Sequence, residues 1–158
     1  MPDNNVRIAK VIAPPPAIYA IGLALGLVAD WLLALPPLME PNALTWAAAA
    51  GFGTVGAFCI ASALRRFGAA GTPAEPWKPT RALATGGIYR WTRNPMYLGM
   101  ALLLLAAGLG FASLGIIAML PLVILVIDRF VIAREERYLD DLFGAEYAAY
   151  RGRVRRWF

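Results

Sequence analysis

The sequence predicts an all-α, polytopic membrane protein with four transmembrane helices and a C-terminal cytoplasmic amphipathic helix. Three observations predict it. Of the 158 residues, 59% are hydrophobic, where about half is usual for a soluble domain. Residues 11–29, 41–64 and 94–127 carry no charge, and about 20 apolar residues suffice to cross a bilayer. All 15 Lys and Arg fall in three segments: the lead-in with Arg7 and Lys10, the stretch 65–93, and the tail from Arg129 onward.

The elements follow in chain order. Residues 1–12 are a polar lead-in without a small-residue cleavage site after the apolar stretch, so the first span is expected to be retained. Pro14, Pro15 and Pro16 mark a helix start, because proline suits a first turn and not an interior. Span one covers about 17–35, with Gly22 and Gly26 permitting a close helix approach. Pro36, Pro37 and Pro41 form the next turn, and span two covers about 43–64. A polar loop, 65–93, holds Pro73, Pro76, Pro79 and Gly86-Gly87. The last charge-free stretch is too long for one span and has Gly108, Gly110, Ser113 and Gly115 at its middle. It reads as a tight hairpin of spans 95–109 and 113–132, with Pro121 kinking the second.

Charge placement supports four spans. The connections at 36–42 and 108–113 have no Lys or Arg. Four spans put every basic segment, both termini and the polar loop on the cytoplasmic side. In the tail, 133–158, Leu139, Leu142, Phe143, Tyr147 and Tyr150 recur at three- and four-residue steps, with Gly144 as a hinge. Arg151, Arg153, Arg155 and Arg156 beside Trp157 and Phe158 suit a membrane-surface anchor or a plain topological signal.

Composition also excludes chemistry. The chain has no histidine, which removes histidine metal ligation and histidine general-base catalysis. Cys59 is the single cysteine, so no intramolecular disulfide forms. The run Gly51-Phe52-Gly53-Thr54-Val55-Gly56 matches a dinucleotide fingerprint literally, but it lies inside span two and reads as helix packing. No nucleic-acid partner is expected, and the sequence defines no oligomeric state.

Two clusters carry candidate chemistry. In the first, Asn94 and Pro95 form a helix start with Asn94 as N-cap, preceded by Tyr89, Arg90 and Arg93. A positive helix end beside two arginines makes an anion site. The second is Arg134-Glu135-Glu136-Arg137 past span four, suited to a cation or to hydroxyls. Asp128, seven residues before Glu135, reads as a structural partner for an arginine. Asp30, near the outer end of span one, is an intramembrane acid and a default functional suspect, though close enough to the interface to be hydrated.

These clusters resemble the integral membrane methyltransferases typified by isoprenylcysteine carboxyl methyltransferase and the phospholipid methyltransferases. The resemblance covers roughly Gly68 to the C-terminus. It rests on Ala70-Gly71-Thr72, the Tyr-Arg-x-x-Arg-x-Pro-x-Tyr-x-Gly run at 89–99, Glu135-Glu136-x-x-Leu139, and Phe143-Gly144-x-x-Tyr147-x-x-Tyr150. It implies S-adenosylmethionine as cofactor in a cytoplasm-facing pocket. The motif positions it carries over are Arg93, Asn94, Pro95, Tyr97, Gly99, Glu135, Glu136 and Leu139; Tyr89, Arg90 and Tyr147 are candidate binding groups beside them. Many relatives have His where this chain has Asn94, and asparagine exchanges no proton near neutral pH.

The expected function is methyl transfer to a lipid-like substrate entering from the bilayer. Glu135 and Glu136 are the candidate bases. A carboxylate acceptor would need no base, only an arginine such as Arg134 or Arg137 to orient it. A nicotinamide-dependent membrane reductase and a non-enzymatic four-helix transporter are the alternatives.

Overall fold

Helix signals written into the sequence set most of the boundaries. The computed structural model describes residues 8–9 and 11–158; Arg7 and Lys10 lie outside them. Helix α1, Pro15–Leu32, opens on proline and ends three residues before the expected Leu35. Helix α2, Ala43–Ala69, opens on a capping box. Asn42 Oδ1 accepts from the N–H groups of Leu44 (2.9 Å) and Thr45 (3.1 Å), while Thr45 Oγ1 accepts from Asn42 N at 3.0 Å. α2 runs five residues past the expected Leu64, so Arg65 and Arg66 are helical and not in a loop.

After α2 the chain is irregular except for one 3₁₀ turn, Gly87–Arg90. Helix α3, Pro95–Gly110, has 16 residues, about 24 Å at the α-helical rise. Helix α4, Leu114–Val126, passes through Pro121 unbroken. It continues as a π-helical segment, Ile127–Ile132, into helix α5, Ala133–Phe143. The tail helix is therefore not separate from span four: one helix of 30 residues runs from Leu114 to Phe143. At about 45 Å it exceeds a hydrocarbon core of about 30 Å. Its apolar part ends near Ile132, and the turns bearing Arg134–Arg137 project beyond. Helix α6, Ala145–Arg153, follows Gly144, whose positive φ of 51° makes the hinge the sequence anticipates.

Among the described residues all regular structure is helical. Three helices are long and apolar enough to cross a membrane, and α3 is a shorter apolar fourth. α2 packs chiefly on α3 and α1 on α4. At one end Leu38 N donates to Ala112 O at 2.7 Å, joining the two connections that lack Lys and Arg. Asp30 is explained there. Its carboxylate accepts from the Ser113 hydroxyl and from Gly115 N (2.7 Å), capping α4. The core joins Tyr19, Tyr97, Leu104, Ile116, Val123, Ile127 and Val131. Ile21, Leu25, Val55, Phe58, Leu122 and Leu125 are exposed, a surface suited to lipid.

Candidate active site

At the opposite end from Asp30, three segments converge. The 92–94 stretch leads into α3, α5 leaves the apolar zone, and the last residues fold back between them. Arg93 N donates to Arg155 O (3.0 Å). Thr92 Oγ1 and Asn94 Nδ2 each donate to Arg156 O at 3.0 Å. Asn94 thus occupies the N-cap position without capping, because its side chain is spent on the C-terminal segment.

A charge network underlies this clasp. Glu136 Oε1 accepts from Arg93 Nη2 at 2.6 Å, and Glu136 Oε2 accepts from Arg156 Nη2. Arg93 Nη1 also donates to the carbonyls of Val154 (2.6 Å) and Arg151 (3.1 Å). Arg156 Nη1 reaches both oxygens of Asp128 at 3.1–3.2 Å, and Trp157 Nε1 donates to Asp128 Oδ1 at 3.0 Å. Asp128 is an arginine partner, as read from the sequence. The Arg156–Trp157 end is held against α5 by these bonds, which a free membrane anchor would lack.

Beside the network lies a cavity enclosing about 830 Å³ of empty space, its open mouth included. Tyr89, Arg93, Asn94, Tyr97, Glu135, Glu136, Leu139 and Tyr147 line it. Four other expected residues do not. Arg90 is exposed on the far side of its turn. Pro95 is buried as the first residue of α3. Gly99 faces α2, where an added Cβ would stand 2.7 Å from Gly56 O. Arg137 is exposed, and its Nε donates to Ala133 O at 3.1 Å. The expected anion site is therefore not assembled: Arg90 points elsewhere and Arg93 is already paired. Glu136, with both oxygens held by arginines, is a structural anion and not an available base.

Glu135 differs. Its Oε1 accepts from Tyr97 Oη at 2.5 Å, and among the described residues no cation pairs with it. Burial is the main cause that pushes its carboxyl up to about 7; the adjacent Glu136 charge adds to this and the Tyr97 bond opposes it. Tyr89, Tyr147 and Tyr150 have hydroxyls raised well above the ordinary tyrosine value, chiefly by burial, so they are neutral at pH 7. Tyr150 Oη donates to Tyr89 O at 2.7 Å, and Phe67 meets the Tyr89 ring edge-on at 5.6 Å between centroids. Tyr138 Oη accepts from Thr80 N at 3.1 Å, tying the polar loop to α5.

Sequence reasoning missed Thr92, Tyr138 and the carbonyls of residues 151–156. Tyr150 stood in the motif without a role; Thr80 and Tyr138 carried no signal at all.

Fold and site together define a helical membrane protein with an acidic, tyrosine-walled cavity where α3 and α5 meet. A family model described as phospholipid methyltransferase matches residues 44–146, and the chain belongs to that family of integral membrane methyltransferases. An uncharacterized protein of Haemophilus influenzae is 50% identical over 66 residues, covering 39% of this chain and 98% of that relative. No solved structure matches significantly.

Proposed function

We propose that the chain is an S-adenosylmethionine-dependent methyltransferase with four spans, both termini and the cavity on the cytoplasmic side, acting on a lipid-like substrate from the bilayer. Family membership favours this over a nicotinamide reductase or a transporter. The observation that carries the reading is Glu135, an unpaired acid on an aromatic wall in a chain of net charge +5. Such a wall suits a ligand with a net positive charge.

The residues present fit that cofactor. Glu135 would meet its cationic part, and the faces of Tyr89, Tyr138 and Tyr147 would pack on its flat or cationic portions. When bound, the cofactor supplies an electrophilic methyl group. The chain supplies position: Tyr97 orients Glu135, and the Arg93–Glu136–Arg156 network fixes the wall on which both stand. The expectation of a carboxylate acceptor loses its support. It needs an unpaired arginine on the wall, and Arg93 is paired while Arg134 and Arg137 are not on it. The wall suits a cationic or neutral headgroup instead.

Calorimetric titration of the purified full chain with S-adenosylmethionine tests the reading. Saturable binding that weakens in E135Q is expected. A well-folded sample that binds none of it disproves the reading.

A further inference from the structure

We propose that a groove between the C-terminal end of α2 and the outer face of the 87–90 turn holds the phosphate headgroup of an anionic phospholipid, at a site separate from the cavity. Phe58, Ser62, Arg65, Arg66, Ile88 and Trp91 line it. Tyr89, in the same turn as Ile88, lines the cavity instead.

The sequence builds this groove on one helix face. Phe58, Ser62 and Arg65–Arg66 recur at steps of three to four residues, so they stack along α2. Phe58 and Arg66 are eight residues apart, about 12 Å along the axis. Phe58 lies within the apolar length of α2, and the arginines lie where charge begins. An amphiphile with an anionic head and an acyl chain matches that order: head at the arginines, chain along Phe58. Trp91 is exposed beside them, and its half-polar indole suits the headgroup level.

Arg66 is half-buried beside Arg65, and its Nε is shut off from solvent without a hydrogen-bond partner, so a headgroup oxygen would meet its Nη nitrogens and not Nε. Its guanidinium lies over Gly86, where an added Cβ would stand 2.5 Å from Nη2 and 2.6 Å from Cζ. Glycine is thus the residue that leaves the guanidinium its seat. No Asp or Glu lines the groove, so nothing there would receive the ammonium of a zwitterionic headgroup. Two arginines at the end of an apolar helix match the rule that basic pockets at helix ends take anionic headgroups.

The test is lipid retention by the full chain in detergent, read by native mass spectrometry. Phosphatidylglycerol, phosphatidylcholine and inorganic phosphate are titrated separately and in competition. One phosphatidylglycerol per chain is expected, held more tightly than phosphatidylcholine, whose phosphate carries the same charge but whose ammonium meets two arginines and no carboxylate in the groove. Millimolar inorganic phosphate should not displace it. R66Q, and independently the exposed-site variant R65Q, should each weaken retention, R66Q by about tenfold or more. E135Q should retain lipid as the wild type does. Equal retention by both arginine variants, or equal affinity for phosphatidylcholine, overturns the proposal. So does displacement by phosphate alone, or loss of the lipid in E135Q, which would place it in the cavity.

Discussion

Tyr97 donates its hydroxyl hydrogen to Glu135 Oε1 across 2.5 Å, joining the first turn of α3 to the first turn of α5. The two residues are 38 positions apart in sequence. The apolar hairpin between them brings them together on the cavity wall. Removing the donor should weaken the ionised form of Glu135, because this hydrogen bond lowers its pKa against the upward push of burial. Y97F should therefore move the pH midpoint of cofactor binding upward from the wild-type value. Calorimetry across a pH series checks this; an unchanged midpoint would disconnect Tyr97 from the ligand.

The Glu135 carboxyl, pushed up to about 7, also fixes the sign of two pH effects. A cationic ligand needs the ionised form. Its affinity should rise about tenfold between pH 6 and pH 8, following the ionised fraction. Apo stability should run the other way. Between the ordinary value of 4.5 and about 7 the folded state holds a proton that the unfolded chain releases. Stability then falls as pH rises through that window and levels off above it. E135Q should flatten both profiles, with thermal unfolding in detergent reading the second.

The two arginine–carboxylate pairs on α5 should differ sharply in worth. Glu136 is 10% exposed at its side chain and binds Arg93 and Arg156, whereas Asp140 is 32% exposed and pairs with Arg151. E136Q leaves the Arg93 guanidinium without its anion, leaves Arg156 with Asp128 alone, and should cost about 3 kcal/mol. D140N breaks a solvated pair and should cost less than about 1 kcal/mol. Unfolding midpoints of the two variants settle it, and equal losses would mean that the C-terminal clasp is not held by Glu136.

The helices and the apolar hairpin were legible because apolar runs, Pro15, Pro95 and Gly144 are local signals. The cavity was half legible. Glu135, Glu136 and Tyr97 stood in motifs, yet nothing in the sequence says that Arg156 returns to Glu136, 20 positions back, and takes it out of play. That pairing depends on the π-helical segment Ile127–Ile132. It inserts a residue into the helical repeat and turns everything after it by about 100°. Periodicity counted along an ideal α-helix misses that turn. Asp30 illustrates the reverse case. An intramembrane acid invites a functional reading, and only the fold brings Ser113 and Gly115 to it as a cap.

Gly99 was expected to bind cofactor, and its surroundings assign it another task. It faces Gly56 reciprocally: a Cβ on either glycine would lie 2.7 Å from the other's carbonyl oxygen. α2 and α3 touch backbone to backbone there, the close approach that small residues permit in membrane helices. G99A must push the helices apart or displace Ile60, whose Cγ1 would also lie 2.7 Å away. A cost of about 1–3 kcal/mol follows from overpacking a tight contact. Gly99 does not line the cavity, so the folded fraction of G99A should bind S-adenosylmethionine with wild-type affinity. A packing glycine gives lost stability with retained affinity, and a ligand-contacting glycine gives the opposite. Measuring unfolding and binding on the same preparation separates the two, and weakened binding without destabilisation would return Gly99 to the site.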